Sequence, residues 1–455
     1  MANSLSHFKI INNFLNNNIL TNITFIFIIF VLSSVVYDYE VNAIDKTNAL
    51  DLQNSSSEKV KQNNDSIIIN YSNSNITNLT NNNEDSIYGQ IAAFENNVYV
   101  VWQESVTESL PEHNYDIFFV RSEDKGKTFE MPINLSNNIE FSERPQIAAT
   151  RNGIFIVWTD TIDSNNKKII FTKSIDNGKT FSNPVTLSNN SKNSYNVEIS
   201  AFNENVYVVW QEQGYNNTGE ANDSIIFTSS IDNGNNFNDP IELTAHTSDA
   251  FPKINSYGNN VYIVWNNENK KNNGLFFVKS SDKGYNFSKL IKLSDDVNSG
   301  ESQLTLNENE ILVVWGGFLG KNIDNIYYVK SNDKGNTFTY SKTFYEKTIT
   351  PNNTIEYNKL NKIINNPLNV EVTNNDNLSY VVWQNTFSKQ NQDILLTVLN
   401  NQTGNNFMKL LNLSNNTSIS ECPSIAISNK NVYIIWEDFI AGNHEILFAN
   451  IVILT

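Results

Sequence analysis

The chain has 455 residues, enough for two or three average domains or one large repeat array with a sizeable core. Its 48 acidic and 31 basic side chains leave a formal net charge of -17, which excludes a nucleic-acid backbone as partner because nothing basic would replace the released counterions. One cysteine, Cys422, excludes an intramolecular disulfide and a cysteine zinc site; the scattered His7, His113, His246 and His444 show no metal-ligand spacing and read as surface residues.

Residues 1–43 read as a targeting segment. Lys9 is the only charge before the apolar run Ile23–Tyr37, and Val41-Asn42-Ala43 offers modest side chains where a signal peptidase reads. The run is short for a free-standing span, so a cleaved signal peptide is preferred to a retained membrane anchor. Residues 44–64 form a polar linker with too little apolar surface to fold alone. Acceptor sequons at Asn54, Asn70, Asn78, Asn134, Asn286, Asn412 and elsewhere agree with a secreted or cell-surface glycoprotein, although a chain this rich in Asn, Ser and Thr contains many by chance.

From residue 65 the chain repeats. Trp102, Trp158, Trp210, Trp265, Trp315, Trp383 and Trp436 each end a β-branched and aromatic run such as VYVVW, at intervals of 50 to 68 residues. Such a period, carried by short β-rich runs, predicts a propeller with four strands per blade. Each unit reads as a short strand (Gln146–Ala149), a hairpin, the tryptophan strand, a variable loop and a third strand such as Ile117–Val120. A stereotyped turn and a fourth strand ending in Asn-Leu-Ser or similar complete it.

The turn is SEDKGKTF at 122–129, SIDNGKTF at 174–181, SIDNGNNF at 230–237, SSDKGYNF at 280–287 and SNDKGNTF at 331–338, with a degenerate copy at 400–407. Asp124, Asp176, Asp232, Asp282 and Asp333 are suited to accept hydrogen bonds from backbone N–H groups of their own turns. The glycines permit a positive φ. The closing phenylalanines are expected to pack each hairpin against its own blade. This pattern resembles the Asp-box (BNR) repeat of sialidase-like propellers, in which the box is structural.

The last unit stops after its third strand, Glu445–Ile453. Leu79 precedes Gln90 by the spacing that separates Leu135 from Gln146, so Ile76–Thr80 reads as an orphan fourth strand that closes the ring. The expected fold is therefore all-β: a seven-bladed β-propeller over residues 65–455 with four-stranded blades, the last completed by an N-terminal strand.

In this connectivity the start of strand one and the end of strand two share a top face. The resemblance to sialidases implies three arginines gripping a carboxylate and a six-bladed ring. Of the arginines here, Arg121 and Arg151 fall at the bottom and only Arg144 on top, so that triad cannot form. The aligned starts of strand one, Gln90, Gln146, Glu198, Lys253, Gln303, Glu371 and Ser424, are the candidate ligand-binding ring together with Arg144. Glu104, Asp160, Glu212, Glu437 and Asp438 end second strands, and Tyr88, Phe141, Tyr195 and Phe251 supply aromatic surface. Glu198, Glu212 and Glu371 are the weak catalytic candidates, as an acid–base pair for glycoside hydrolysis or as oxygen ligands for Ca²⁺. The plainer reading is that strand ends near solvent are polar in any case.

The long connection Thr339–Pro367 carries no motif. The expected function is a monomeric, exported module that binds a protein or a glycan, without cofactor, touching a membrane only through an uncleaved N-terminal segment. The alternative is a sialidase-like glycoside hydrolase using top-face carboxylates.

Overall fold

The computed structural model describes residues 68–70 and 76–454, except 107–113, 164–165, 189–191, 216–222, 245–248, 268–272, 295–301, 309, 320–321, 341, 344–347, 350–354, 357–366, 376–377, 389–390, 401–406 and 441. The expected targeting segment and linker, and most of the degenerate sixth turn, lie outside the described residues.

The described residues form seven antiparallel four-strand blades and no helix. Blade one comprises Ser86–Phe94, Asn97–Val106, Asn114–Ser122 and Ile133–Asn134, hydrogen-bonded in that order. Blades two to six follow the same order from first strands Phe141–Thr150, Ser194–Phe202, Asp249–Tyr257, Ser302–Leu306 and Pro367–Asn374. Blade seven has Ser420–Ser428, Asn431–Ile440 and Asn443–Leu454. The seven first strands lie side by side in a closed circle, blade seven beside blade one.

The ring closes as expected. Ile76, Thr77 and Asn78 pair with Ala449, Phe448 and Leu447, and Leu79 N donates to Ile446 O at 2.9 Å. Ile68–Asn70 adds a second short pairing, with Val452–Leu454. The edge that an open array would leave is thereby covered. The expected long link after blade five holds the brief fourth strand Lys342–Thr343 and a ribbon of Thr348–Ile349 paired with Ile355–Glu356.

Second strands such as Val98–Trp102 are buried on both faces, which is why they read as unbroken apolar runs. The core lies between blades rather than within them. Ile91, Val100 and Trp102 of blade one pack with Tyr433, Ile435 and Phe448 of blade seven, and each of the other six seams has an equivalent cluster.

The aspartate turns serve those seams. Within each turn the expected bonding is present: Asp124 Oδ1 accepts from Lys127 N at 3.0 Å and Thr128 N at 2.9 Å, and Ser122 Oγ accepts from Gly126 N at 2.9 Å. The backbone and hydroxyl of Thr128 hold the Asp124 carboxyl down at about 2; bonds from Ser230 and Asn236 do the same for Asp232. The closing phenylalanines, however, pack into the seams, each in a cluster built from its own blade and the preceding one. Phe181 meets Phe119 of the preceding blade edge-on at 4.9 Å; Phe129 meets Phe448, Phe237 meets Phe171, Phe287 meets Phe227 and Phe338 meets Phe277 in the same way. The turn is thereby anchored partly by the blade that precedes it in the ring, whose third strand supplies the facing ring.

Gly234 shows how close the approach is. Its φ is +67°, and a Cβ there would stand 2.6 Å from Phe171 Cζ of the preceding blade. A cation or amide on that blade's third strand adds a tether: Arg121 Nη1 reaches Asn177 O at 2.6 Å, Lys173 Nζ reaches Asn233 O at 2.9 Å, and Asn450 Nδ2 reaches Lys125 O at 2.9 Å.

Candidate functional site

The first strands are not regular. Among the described residues, in six of the seven two residues oppose the blade's tryptophan where one would fit, between Ile87 and Gln90, Glu143 and Gln146, Tyr195 and Glu198, Ala250 and Lys253, Leu368 and Glu371, and Glu421 and Ser424. Each is a β-bulge, which re-aims side chains and is frequent beside functional sites. At each the first extra residue is left-handed: Tyr88 (φ 54°), Arg144 (52°), Asn196 (50°), Phe251 (53°), Asn369 (47°) and Cys422 (49°). Non-glycine residues other than Asn enter that region at a cost, so the surrounding structure must hold them there.

Four of them are held by the residue after the tryptophan of the preceding blade. Glu437 Oε1 accepts from Tyr88 N at 2.6 Å, Gln103 Oε1 from Arg144 N at 3.0 Å, Gln211 Oε1 from Phe251 N at 3.4 Å and Gln384 Oε1 from Cys422 N at 3.5 Å. Where the bulge carries Asn, its side chain bonds the same amide in its own blade: Asn196 Nδ2 to Gln211 and Asn369 Nδ2 to Gln384, both at 2.8 Å.

The six bulges surround one cavity of about 310 Å³ at the top of the ring. It is lined by Tyr88–Gln90, Arg144–Gln146, Asn196–Glu198, Phe251–Lys253, Asn369–Glu371 and Cys422–Pro423. Its size stands at the lower end of the roughly 300–1,000 Å³ of small-molecule sites.

The aligned ring is equivalent in register. Gln90, Gln146, Glu198, Lys253, Gln303, Glu371 and Ser424 each pair with the residue before their blade's tryptophan. Neighbours bond laterally: Lys253 Nζ to Glu198 Oε1 at 2.6 Å, Gln303 to Glu371, and Ser424 Oγ to Gln90 Oε1 at 3.1 Å. The guanidinium of Arg144 lies over the Tyr88 ring, 4.5 Å from its centroid.

Other candidates stand elsewhere. Glu212 is outside the cavity lining and pairs with Lys192. Glu104 accepts from Trp102 Nε1 at 2.9 Å and Asp160 from Trp158 Nε1 at 2.7 Å, so these carboxylates secure the blade core. Phe141 packs edge-on against Tyr115, and the Tyr195 hydroxyl bonds Asp223. Arg121 is locked by Glu123 and Glu130 in the bottom rim. No group of three or more potential ligands for a metal ion is found among the described residues.

The site residues that sequence reasoning missed are Asn196, Asn369, Cys422 and the clamps Gln103, Gln211 and Gln384. A signal was present: Pro145, Pro252 and Pro423 stand immediately before the expected strand starts, and the observed strands run through them, where a proline marks a bulge or an edge.

Neither a protein-family model nor a curated protein matches the chain. Among solved structures, a protein of unknown function from Dyadobacter fermentans has a TM-score of 0.48 at 11% identity, over 84% of this chain and 100% of that one. A Hadza microbial sialidase has 0.45 at 11%, over 76% and 74%. The Trypanosoma rangeli sialidase has 0.45 at 10%, over 87% of this chain and 60% of its own. Likenesses at these scores and identities carry no argument about what the chain does.

Proposed function

We propose that this protein is an exported binding module that captures the end of a glycan in the bulge-lined mouth of its propeller. The observation that carries the reading is the ring of six left-handed bulges around one sugar-sized cavity. Strained backbone repeated about a single opening is a reason to place function there. The lining suits a polyhydroxylated ligand: amides of Gln90, Gln146, Asn196 and Asn369 offer paired donors and acceptors, and Tyr88 and Phe251 offer ring faces. The apolar run near the N-terminus and the sequons support export. A protein bearing such a glycan is a partner of the same kind.

Purified full-length protein is to be screened on a glycan panel for binding and for turnover. Binding without turnover, weakened at least tenfold by Gln146→Ala with the unfolding temperature unchanged, is the expected result. No binding to any glycan refutes it. A second reading, glycoside hydrolysis, has one observation in its favour: Glu198 and Glu371 share the cavity, and such chemistry needs two carboxyl groups. Turnover abolished by Glu371→Gln would establish it in place of pure binding.

A further inference from the structure

The clamps behind the mouth are alike in three blades and different in one. Gln103, Gln211 and Gln384 are neutral amides; the corresponding residue of blade seven is Glu437, an acid only 3% exposed. It sits where blade seven meets blade one. We propose that Glu437 is the positioning residue for this seam side of the mouth, setting where Tyr88 and Cys422 stand. The inference rests on the mouth being the ligand site.

The groups around Glu437 come from every strand packed on it. Tyr88 of blade one donates its backbone N–H. On the first strand of blade seven, the Cys422 thiol bonds the carboxyl and Glu421 stands in register opposite it. On the third strand, His444 faces Glu421 Oε1 at 3.6 Å and Asp85 Oδ1 at 3.2 Å, and Glu445 pairs with Asp438. Arg144 lies beyond, over Tyr88.

Burial lifts the Glu437 carboxyl to about 8, helped by the charge of Glu421 and opposed by the Tyr88 amide. The bond to Glu421 lifts His444 to about 9. A neutral carboxyl accepts from Tyr88 N with one oxygen and keeps its proton on the other. Once ionised it places a charge inside the seam, against the Cys422 thiol. The three sister blades avoid that charge by using glutamine, so Glu437→Gln retains the acceptor and removes only the titration.

Both proteins are to be compared at full length from pH 6 to 9.5. Iodoacetamide reports on the chain's sole cysteine, and so on the mouth, without any ligand. The ionised neighbour opposes thiolate formation, so half-maximal alkylation is expected about one pH unit lower in Glu437→Gln than in the native protein. The thermal stability of the native protein relative to the variant is expected to fall as pH rises from 6 to about 8 and to level off above it, since over that range only the folded state keeps the proton. Glycan affinity is expected to drop at least threefold between pH 7 and 9 in the native protein and stay level in the variant.

Superimposed alkylation profiles overturn the inference. If the variant does not fold, a native midpoint at or below the ordinary thiol value of about 8.5 overturns it as well. Shifted profiles with no glycan bound at any pH support the role of Glu437 and refute the ligand reading alone.

Discussion

Replacing Gly234 by alanine tests whether the aspartate turns hold the seams. Two costs are expected. The residue sits at φ +67°, where a Cβ costs about 1–2 kcal/mol. That Cβ would also stand 2.6 Å from Phe171 Cζ and 3.1 Å from its Cε1, and overpacking of this kind costs about 1–3 kcal/mol. The sum is roughly 2–5 kcal/mol. Gly258 supplies the control, with φ +62° and nothing within 4 Å of its would-be Cβ, so Gly258→Ala carries the backbone cost alone, about 1–2 kcal/mol. Urea unfolding followed by the fluorescence of the seven buried tryptophans measures both. Equal losses in the two variants refute the close inter-blade contact.

Other consequences follow from the same geometry. A double-mutant cycle between Phe119 and Phe181 is expected to give a coupling of about 0.5–1.5 kcal/mol, and one between Phe171 and Phe181 close to zero, since only the first pair meets. The aspartates of the turns have depressed pKa values, so their contribution is present above about pH 4 and is lost as pH falls toward 2. Circular dichroism along an acid titration is expected to show that loss, with a smaller acid-dependent change in Asp232→Asn. Replacing Ile76 and Leu79 together by aspartate is expected to uncover the edge of Asn443–Leu454, lowering the unfolding temperature and producing concentration-dependent light scattering. An unchanged unfolding temperature would show that the closing strand is dispensable.

Much of the ring is legible in the residues. The tryptophan period marks the blades because a strand buried on both faces has little freedom of composition. The equal spacings from Leu79 to Gln90 and from Leu135 to Gln146 disclose the closing strand. Three of the sequons also have a structural origin: Asn134 and Ser136 both bond Asp116, Asn412 and Ser414 both bond Asp393, and Thr80 receives Ile446 N. The bulges were harder to see, because Tyr, Arg, Asn, Phe and Cys share no chemistry that announces a left-handed backbone. At four of the six the position is held from outside, by an amide or carboxyl on another blade. The direction in which Phe181 and its equivalents pack was likewise hidden, since an apolar side chain declares that it is buried and not against which neighbour.

Phe129, in the turn of blade one, rests on Phe448, and the pairing has a consequence in time. On the ribosome the first of these residues emerges about three hundred positions before the second, an interval of roughly 15–60 s at ordinary rates of synthesis. Throughout that interval the face of blade one that carries Phe129 has no partner, while its other face is already covered by blade two. Blade seven alone fills that gap, with Tyr433, Ile435 and Phe448. The nascent ring is therefore open to misassociation at its first blade until its seventh has been made.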